Sequence, residues 1–416
     1  MKYWIRFILF IGFLPFFYLG LPAETGSPFI RNYSPKEYNA HSQNWAVIQD
    51  NRGIMYFGNV DGILEFDGYN WRRIQLTNYS MVRSLAIDKN GTIYVGAVGE
   101  LGCLTPSQDR NITYKSLLPL LPENENPPAD IWSILVTTHG IYFKTISNFL
   151  RFHNGKIHVI PAISRALGFT VRDKIFFPGD GLYFLEGNTP RRLPHTEPLD
   201  LRLTEQLFVL PYPGNRLLIA TRGKGFYLYD IGMLRQGDSI RTDIQPHLTI
   251  LKKFPTRVDD YIRENQLYLS RQISPDHWAL TTFNGGIVVI DNKGKLVRLI
   301  DKKHGLVGNR VHDVFLDRQQ NLWAVLNNGI SHIELNSPIS VYNENNGLEG
   351  TVMALYRFGR TLYAATPHGL FCLREYPLNS AGQKVKRKSR WCVPPGLKTS
   401  MWISAGSSPT PPVTCG

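Results

Sequence analysis

Histidines, carboxylates and cysteines carry most of the chemistry a chain can do, and in these 416 residues they do not converge on one motif. His139, His153, His158, His195, His312, His332 and His368 are scattered. There is no metalloprotease helix motif, no phosphate-binding P-loop and no Gly-x-Ser-x-Gly elbow. Asp88-Lys-Asn90-Gly91 and Asp291-Asn-Lys-Gly294 begin like calcium loops. They lack the further carboxylates and the bidentate Glu that calcium needs, so they read as hairpin turns. Cys103, Cys372, Cys392 and Cys415 fit no zinc or redox spacing. Cys103 and Cys372 stand in apolar, strand-like contexts and read as small buried hydrophobes, with a disulfide permitted but not expected. No catalytic residue, metal ligand or cofactor site is expected. What remains is recognition by flat groups. Trp and Tyr faces stack on sugar rings, and Arg and Asn offer planar hydrogen bonding. Asn44, Trp45, Arg83, Trp132, Arg310 and His312 are the candidate ligand-binding residues. Trp45 and Trp132 also admit a plainer role as core packing.

A repeat must position these side chains. One unit runs Trp45-Ala-Val-Ile-Gln-Asp50-Asn-Arg-Gly53-Ile-Met-Tyr56-Phe57-Gly58 and then Asp61-Gly62-Ile-Leu-Glu-Phe66-Asp67-Gly68. It returns from Val82 and from Val311, with weaker copies from Ile131, Val171, Leu207, Leu267 and Val352. Aligning the turn after the second strand gives Gly62, Gly102, Asn148, Gly181, Gly225, Gly286, Gly329 and Gly369. Spacings near 40 residues, with several short strands in each, mark an all-β fold: a β-propeller of four-stranded blades. Eight units fit a seven-bladed ring plus the start of further repeats, or one eight-bladed ring. Alternation such as Val47/Gln49 or Leu85/Ile87 predicts half-buried strands. The long Gly225–Gly286 spacing predicts an insertion with a short helix near Asp259 and Asp260. In such a ring the connections into the innermost strands converge at the mouth of the central channel, and the candidate residues occupy those positions.

The units resemble the two-component regulator propeller repeats, over roughly residues 28 to 373. Pro28-Phe-Ile-Arg-Asn-Tyr-Ser-Pro-Lys-Glu-Tyr38, Gln43-Asn-Trp45, Arg263-Glu-Asn-Gln-Leu-Tyr268 and Ala324-Val-Leu-Asn-Asn-Gly-Ile330 also look like one subgroup of that family. The resemblance implies the periplasmic sensor region of a bacterial hybrid two-component receptor, binding a carbohydrate or other small ligand, with a dimer partner as in receptor sensors. In full-length relatives more repeats, an Ig-like module, a membrane helix and a kinase or regulator output follow. The chain carries no kinase motif, so a non-enzymatic sensor is expected. A protein-interaction scaffold and a propeller polysaccharide lyase or glycosidase are the alternatives.

Lys2, Arg6 and the apolar run Phe7 to Leu19, closing on Gly20-Leu-Pro-Ala23, read as a signal peptide over residues 1–23 and imply export to a bacterial periplasm. Contact with a membrane is expected only through an uncleaved signal or a C-terminal continuation. Residues 24–373 form the propeller, and 374–416 read as a disordered basic, Pro-rich tail, a truncated or frameshifted end. The net charge of +13 then loses its force. The signal supplies +2, and the stretch from Arg374 supplies +6, leaving +5 for the repeats. That is an ordinary surface, and nucleic acid is not an expected partner.

Overall fold

The computed structural model describes residues 26–107, 111–162, 166–199, 207–236, 239–240, 250–359, 361–377 and 387–394. The expected signal peptide, Cys415 and the end of the expected tail lie outside the described residues. The chain divides into two compact units, 28–339 and a second formed by the remaining residues.

The larger unit is a ring of seven antiparallel sheets, six of them four-stranded. Blades 1 to 6 are consecutive meanders over residues 44–74, 82–116, 133–161, 169–192, 207–254 and 267–300. Blade 7 takes three strands from residues 311–334, and its fourth is the N-terminal strand Ser27–Tyr33. Tyr33 pairs with Ile330 and Phe29 with Glu334, so the start of the repeat region fastens its end. Of the two blade counts the sequence allowed, the seven-bladed ring with a further sheet is the one observed.

Seven hydrophobic clusters fill the seven seams between neighbouring blades. At the closing seam Tyr33, Trp323, Val325 and Ile330 of blade 7 meet Val47, Met55, Phe57 and Leu64 of blade 1. Burial on both faces at Val47 and Gln49 corrects the half-burial expected there, whereas Val82–Ile87 stays partly exposed at Arg83, Ala86 and Ile87. Met55–Asn59 and Ile93–Ala97 are buried at every position, and Val47, Ile48 and Gln49 are all buried. Side chains on both faces of one strand serve two different seams.

The Asp-x-x-Gly segments are turns, as expected. Asp88 Oδ1 accepts from the backbone of Asn90 and Thr92, at 2.9 Å each. Asp291 Oδ1 does the same for Lys293 and Lys295. These carboxylates are spent on their own loops. In blade 7 Gln320 stands at the turn glycine's place and takes a left-handed φ of 63°. The aligned Gly102 does not sit at a turn. It is third in Glu100–Pro106, where an added Cβ would lie 2.4 Å from the Tyr114 hydroxyl. The long Gly225–Gly286 segment contains the expected helix, Asp259–Asn265, and a two-stranded ribbon.

The second unit contains a four-stranded sheet: Ala354–Phe358, Thr361–Thr366, Gly369–Pro377 and Arg387–Cys392. Regular structure therefore continues past residue 373, where a disordered tail was expected. The reason is local. Cys372 and Leu373 stand opposite Cys392 and Trp391, and Trp391 is buried beside Leu348, Ala364 and Phe371. The composition of 378–390 hid this strand from a reading by repeats. Leu355, Tyr356 and Phe358 on the first strand are exposed. Cys103 and Cys372 are buried, as their contexts suggested.

Candidate functional site

The inner strands of the ring start at one end of the channel, and four share an irregularity there. The register slips between Asn44 and Ala46, Val82 and Ser84, Leu267 and Leu269, and Val311 and Asp313. The skipped residues are Trp45, Arg83, Tyr268 and His312. A bulge leaves one residue outside the ladder and re-aims its side chain. The same slip in blades 1, 2, 6 and 7 turns these four side chains toward the mouth. Blade 3 contributes Trp132, the residue before its inner strand Ser133–Thr137.

There they touch. The Arg83 guanidinium lies 4.2 Å over the Trp45 ring and 4.5 Å over Trp132. The two indoles meet edge to face at 6.1 Å. Arg83 Nε donates to Asp130 Oδ1 at 3.3 Å. Burial raises the Asp130 carboxyl pKa, against the pull of Arg83. On its other side Trp45 stacks on His312, 4.3 Å away and nearly parallel. Tyr268 packs against His312 at 5.3 Å and against Phe283 at 4.7 Å. Arg310 closes the series, 5.6 Å over Phe283.

Burial pushes the His312 pKa down to about 4, helped by Arg310 and Arg83 and opposed by its hydrogen bond to Asn44. The ring is neutral at pH 7. Its Nδ1–H donates to the Asn44 carbonyl oxygen at 2.7 Å, which leaves Nε2 as an acceptor. Burial lifts the Tyr268 phenol to about 12 and keeps it a donor. Two polar groups at the mouth, Trp45 Nε1 and Arg83 Nη1, have no hydrogen-bond partner among the described residues. Buried groups of this kind call for an explanation.

Of the six predicted residues, the structure brings Trp45, Arg83, Trp132 and His312 into one contact set and places Arg310 beside it. Asn44 is different. It is fully buried, its amide donating to Ser42 and accepting from Asn59, so it orients His312 rather than facing a ligand. Neither indole belongs to a seam cluster, and Trp132 is 37% exposed. Tyr268, Phe283 and Asp130 were missed. Tyr268 was within reach, since it occupies the same second place in its inner strand as Trp45, Arg83 and His312.

Deeper in the channel Arg271 of blade 6 makes a two-point ion pair with Asp313 of blade 7, at 2.6 and 2.7 Å. Asp313 also accepts from the backbone of Val47 and Val314. This pair ties blades 6, 7 and 1 together beneath the mouth.

Comparison with solved structures finds the same fold. The extracellular domain of a hybrid two-component system from B. thetaiotaomicron matches with a TM-score of 0.57 at 15% identity, over 83% of this chain and 48% of that one. Another such domain from the same organism matches at 0.53 and 17%, over 88% and 48%. These neighbours come from the family that the repeats resemble. The chain spans about half the length of these domains. Streptogramin B lyase matches at 0.51 and 12%, over 74% of this chain and 98% of its own. No family model and no curated protein matches the sequence. Among the described residues no helix is long and apolar enough to cross a membrane.

Proposed function

We propose that the ring is the periplasmic ligand-sensing part of a two-component receptor and binds a carbohydrate at the channel mouth. One observation carries this reading. Arg83 is held between two indoles, with Arg83 Nη1 and Trp45 Nε1 left without partners among the described residues. The exposed Trp132 indole, with N–H donors beside it, suits a pyranose, which offers C–H groups on its faces and hydroxyls at its rim. The neutral His312 adds an acceptor, so the site can both donate and accept. The fold's occurrence in extracellular domains of two-component systems supports export and a sensory role. We also read the sheet 354–392 as the first blade of a further ring. Its exposed Leu355, Tyr356 and Phe358 are what a blade shows when no neighbour covers it.

A thermal-shift screen of the protein against an oligosaccharide library tests the reading. A cognate sugar raises the melting temperature without being consumed, whereas turnover would favour a lyase or glycosidase. Trp132→Ala should weaken that sugar's binding about tenfold or more, the loss of one aromatic platform. The melting temperature without ligand should stay nearly unchanged, because Trp132 lies outside the seams. Loss of folding instead would place Trp132 in the core and remove it from the site.

A further inference from the structure

We propose that the ligand carries an anionic group, a uronate carboxylate or a sulfate, and that a basic cavity beside the mouth receives it. The inference rests on the mouth being the ligand site and adds a substrate class to it. The cavity, about 250 Å³, lies between the 221–225 turn of blade 5, Lys253 and the helix Asp259–Asn265. That turn joins the second and third strands of its blade, and the helix leads into the inner strand of blade 6. Strand polarity therefore puts both at the end of the ring where Trp45 and His312 stand.

Four cations line the cavity, Arg222, Lys224, Lys253 and Arg263, against one carboxylate, Asp259. Several of these groups are already engaged. Asp259 accepts from the Thr256 hydroxyl, Arg263 pairs with Asp260, and Lys224 donates to the Leu199 carbonyl at 3.0 Å. Arg222 and Lys253 differ. Arg222 donates to the neutral Gln266 side chain at 3.1 Å, and Lys253 rests 5.8 Å from the Tyr227 ring centre. Among the described residues neither forms an ion pair. Like charges around one cavity repel, and an anion between them removes that cost. Gly225 keeps the cavity open. It has φ +79°, and a Cβ there would lie 3.2 Å from an Asp259 oxygen.

Arg222 also joins the cavity to the mouth. Its guanidinium lies 5.0 Å over Phe283, the ring that carries Arg310 and packs on Tyr268. Contacts therefore run unbroken from Trp45 through His312, Tyr268 and Phe283 to Arg222. A ligand stacked on Trp132 that also reaches this cavity has more than one sugar ring.

Calorimetry on the full chain with digalacturonate, a chondroitin sulfate disaccharide and neutral cellobiose tests this. At least one acidic probe should bind more tightly than cellobiose and weaken between about 50 and 500 mM salt. The first two probes separate carboxylate from sulfate. Arg222→Gln and Lys253→Gln should each lower acidic-probe affinity about tenfold or more, the scale of a lost charge-assisted hydrogen bond, with unaltered circular dichroism. Neutral sugar binding that needs Trp132 but ignores both substitutions would overturn the inference and leave the mouth reading standing. Acidic binding that needs Lys253 but not Trp132 would keep the cavity and overturn the mouth. Absence of binding by both acidic probes overturns the inference.

Discussion

His312 gives the ring a defined acid sensitivity. Its pKa falls from 6.5 to about 4 on folding, because the buried ring resists charge among Trp45, Tyr268 and the Asn44 carbonyl, with Arg310 and Arg83 adding repulsion. A pKa lower in the folded state means that the unfolded chain binds the proton first. The stabilisation is complete above pH 6.5 and is lost as pH falls from 6.5 toward 4. At 1.36 kcal/mol per unit, this window holds on the order of 3 kcal/mol. Three groups with lowered carboxyl pKa values, Asp67, Asp180 and Asp317, start from 3.8 and act below it. The comparison is His312→Asn, whose amide can still donate to the Asn44 carbonyl but does not titrate. Urea unfolding from pH 7.5 to 4 should show the wild-type protein losing about 3 kcal/mol more than the variant. Parallel losses would refute the reasoning. They would mean that the negative face of the Trp45 indole, stacked at 4.3 Å, compensates the imidazolium for its lost water.

Four further outcomes follow from the packing. Tyr33 belongs to the fastening strand and touches Phe66, Trp71 and Trp323, so Tyr33→Ala should cost about 4 kcal/mol by urea unfolding. Arg31→Ala, which removes only a cation over the Tyr33 ring, should cost about 1 kcal/mol or less. Asp313→Ala strands Arg271 and two backbone N–H groups and should cost about 3 kcal/mol, while the Arg271→Met, Asp313→Leu pair should recover most of it. Cys372 and Cys392 face each other with sulfurs 3.9 Å apart, so oxidised glutathione should link them with loss of two hydrogens. Peptide mapping that finds both alkylated after oxidation would count against that geometry.

The ring was legible in the sequence because blades 1, 2 and 7 share two devices. The Asp turn is one: Asp50, Asp88 and Asp317 each accept a hydrogen bond at Oδ1 from the residue four places on, whatever stands at the glycine position. The other is a fully apolar second strand such as Leu322–Leu326. The burial pattern was less legible. Val47 and Gln49 look like one face of a half-wet strand, but neighbouring blades cover both faces, and burial then stops following alternation. Ring closure was not legible at all. Pro28 to Tyr38 reads as a lead-in, and only the pairing of Tyr33 with Ile330 makes it the last strand of blade 7.

The site shows why a partial reading succeeded. Trp45, Arg83 and His312 were chosen for standing where inner strands begin, and the structure adds the cause, a register slip at each of those residues. The slip also explains both errors. Asn44 lies one residue before it, still within the ladder, and is therefore sealed under the mouth. Tyr268 lies at the slip of blade 6 and was passed over because its strand follows the insertion, where the repeat is weakest. If the slip is what delivers a side chain to the mouth, residue type matters less than place. Tyr268→Trp should then keep its contact with His312 and Phe283 and preserve ligand binding. Leu269→Trp, one position on and within the ladder, should disturb the seam between blades 5 and 6 and lower the melting temperature instead. Equal effects at the two positions would show that the bulge does not select what faces the channel.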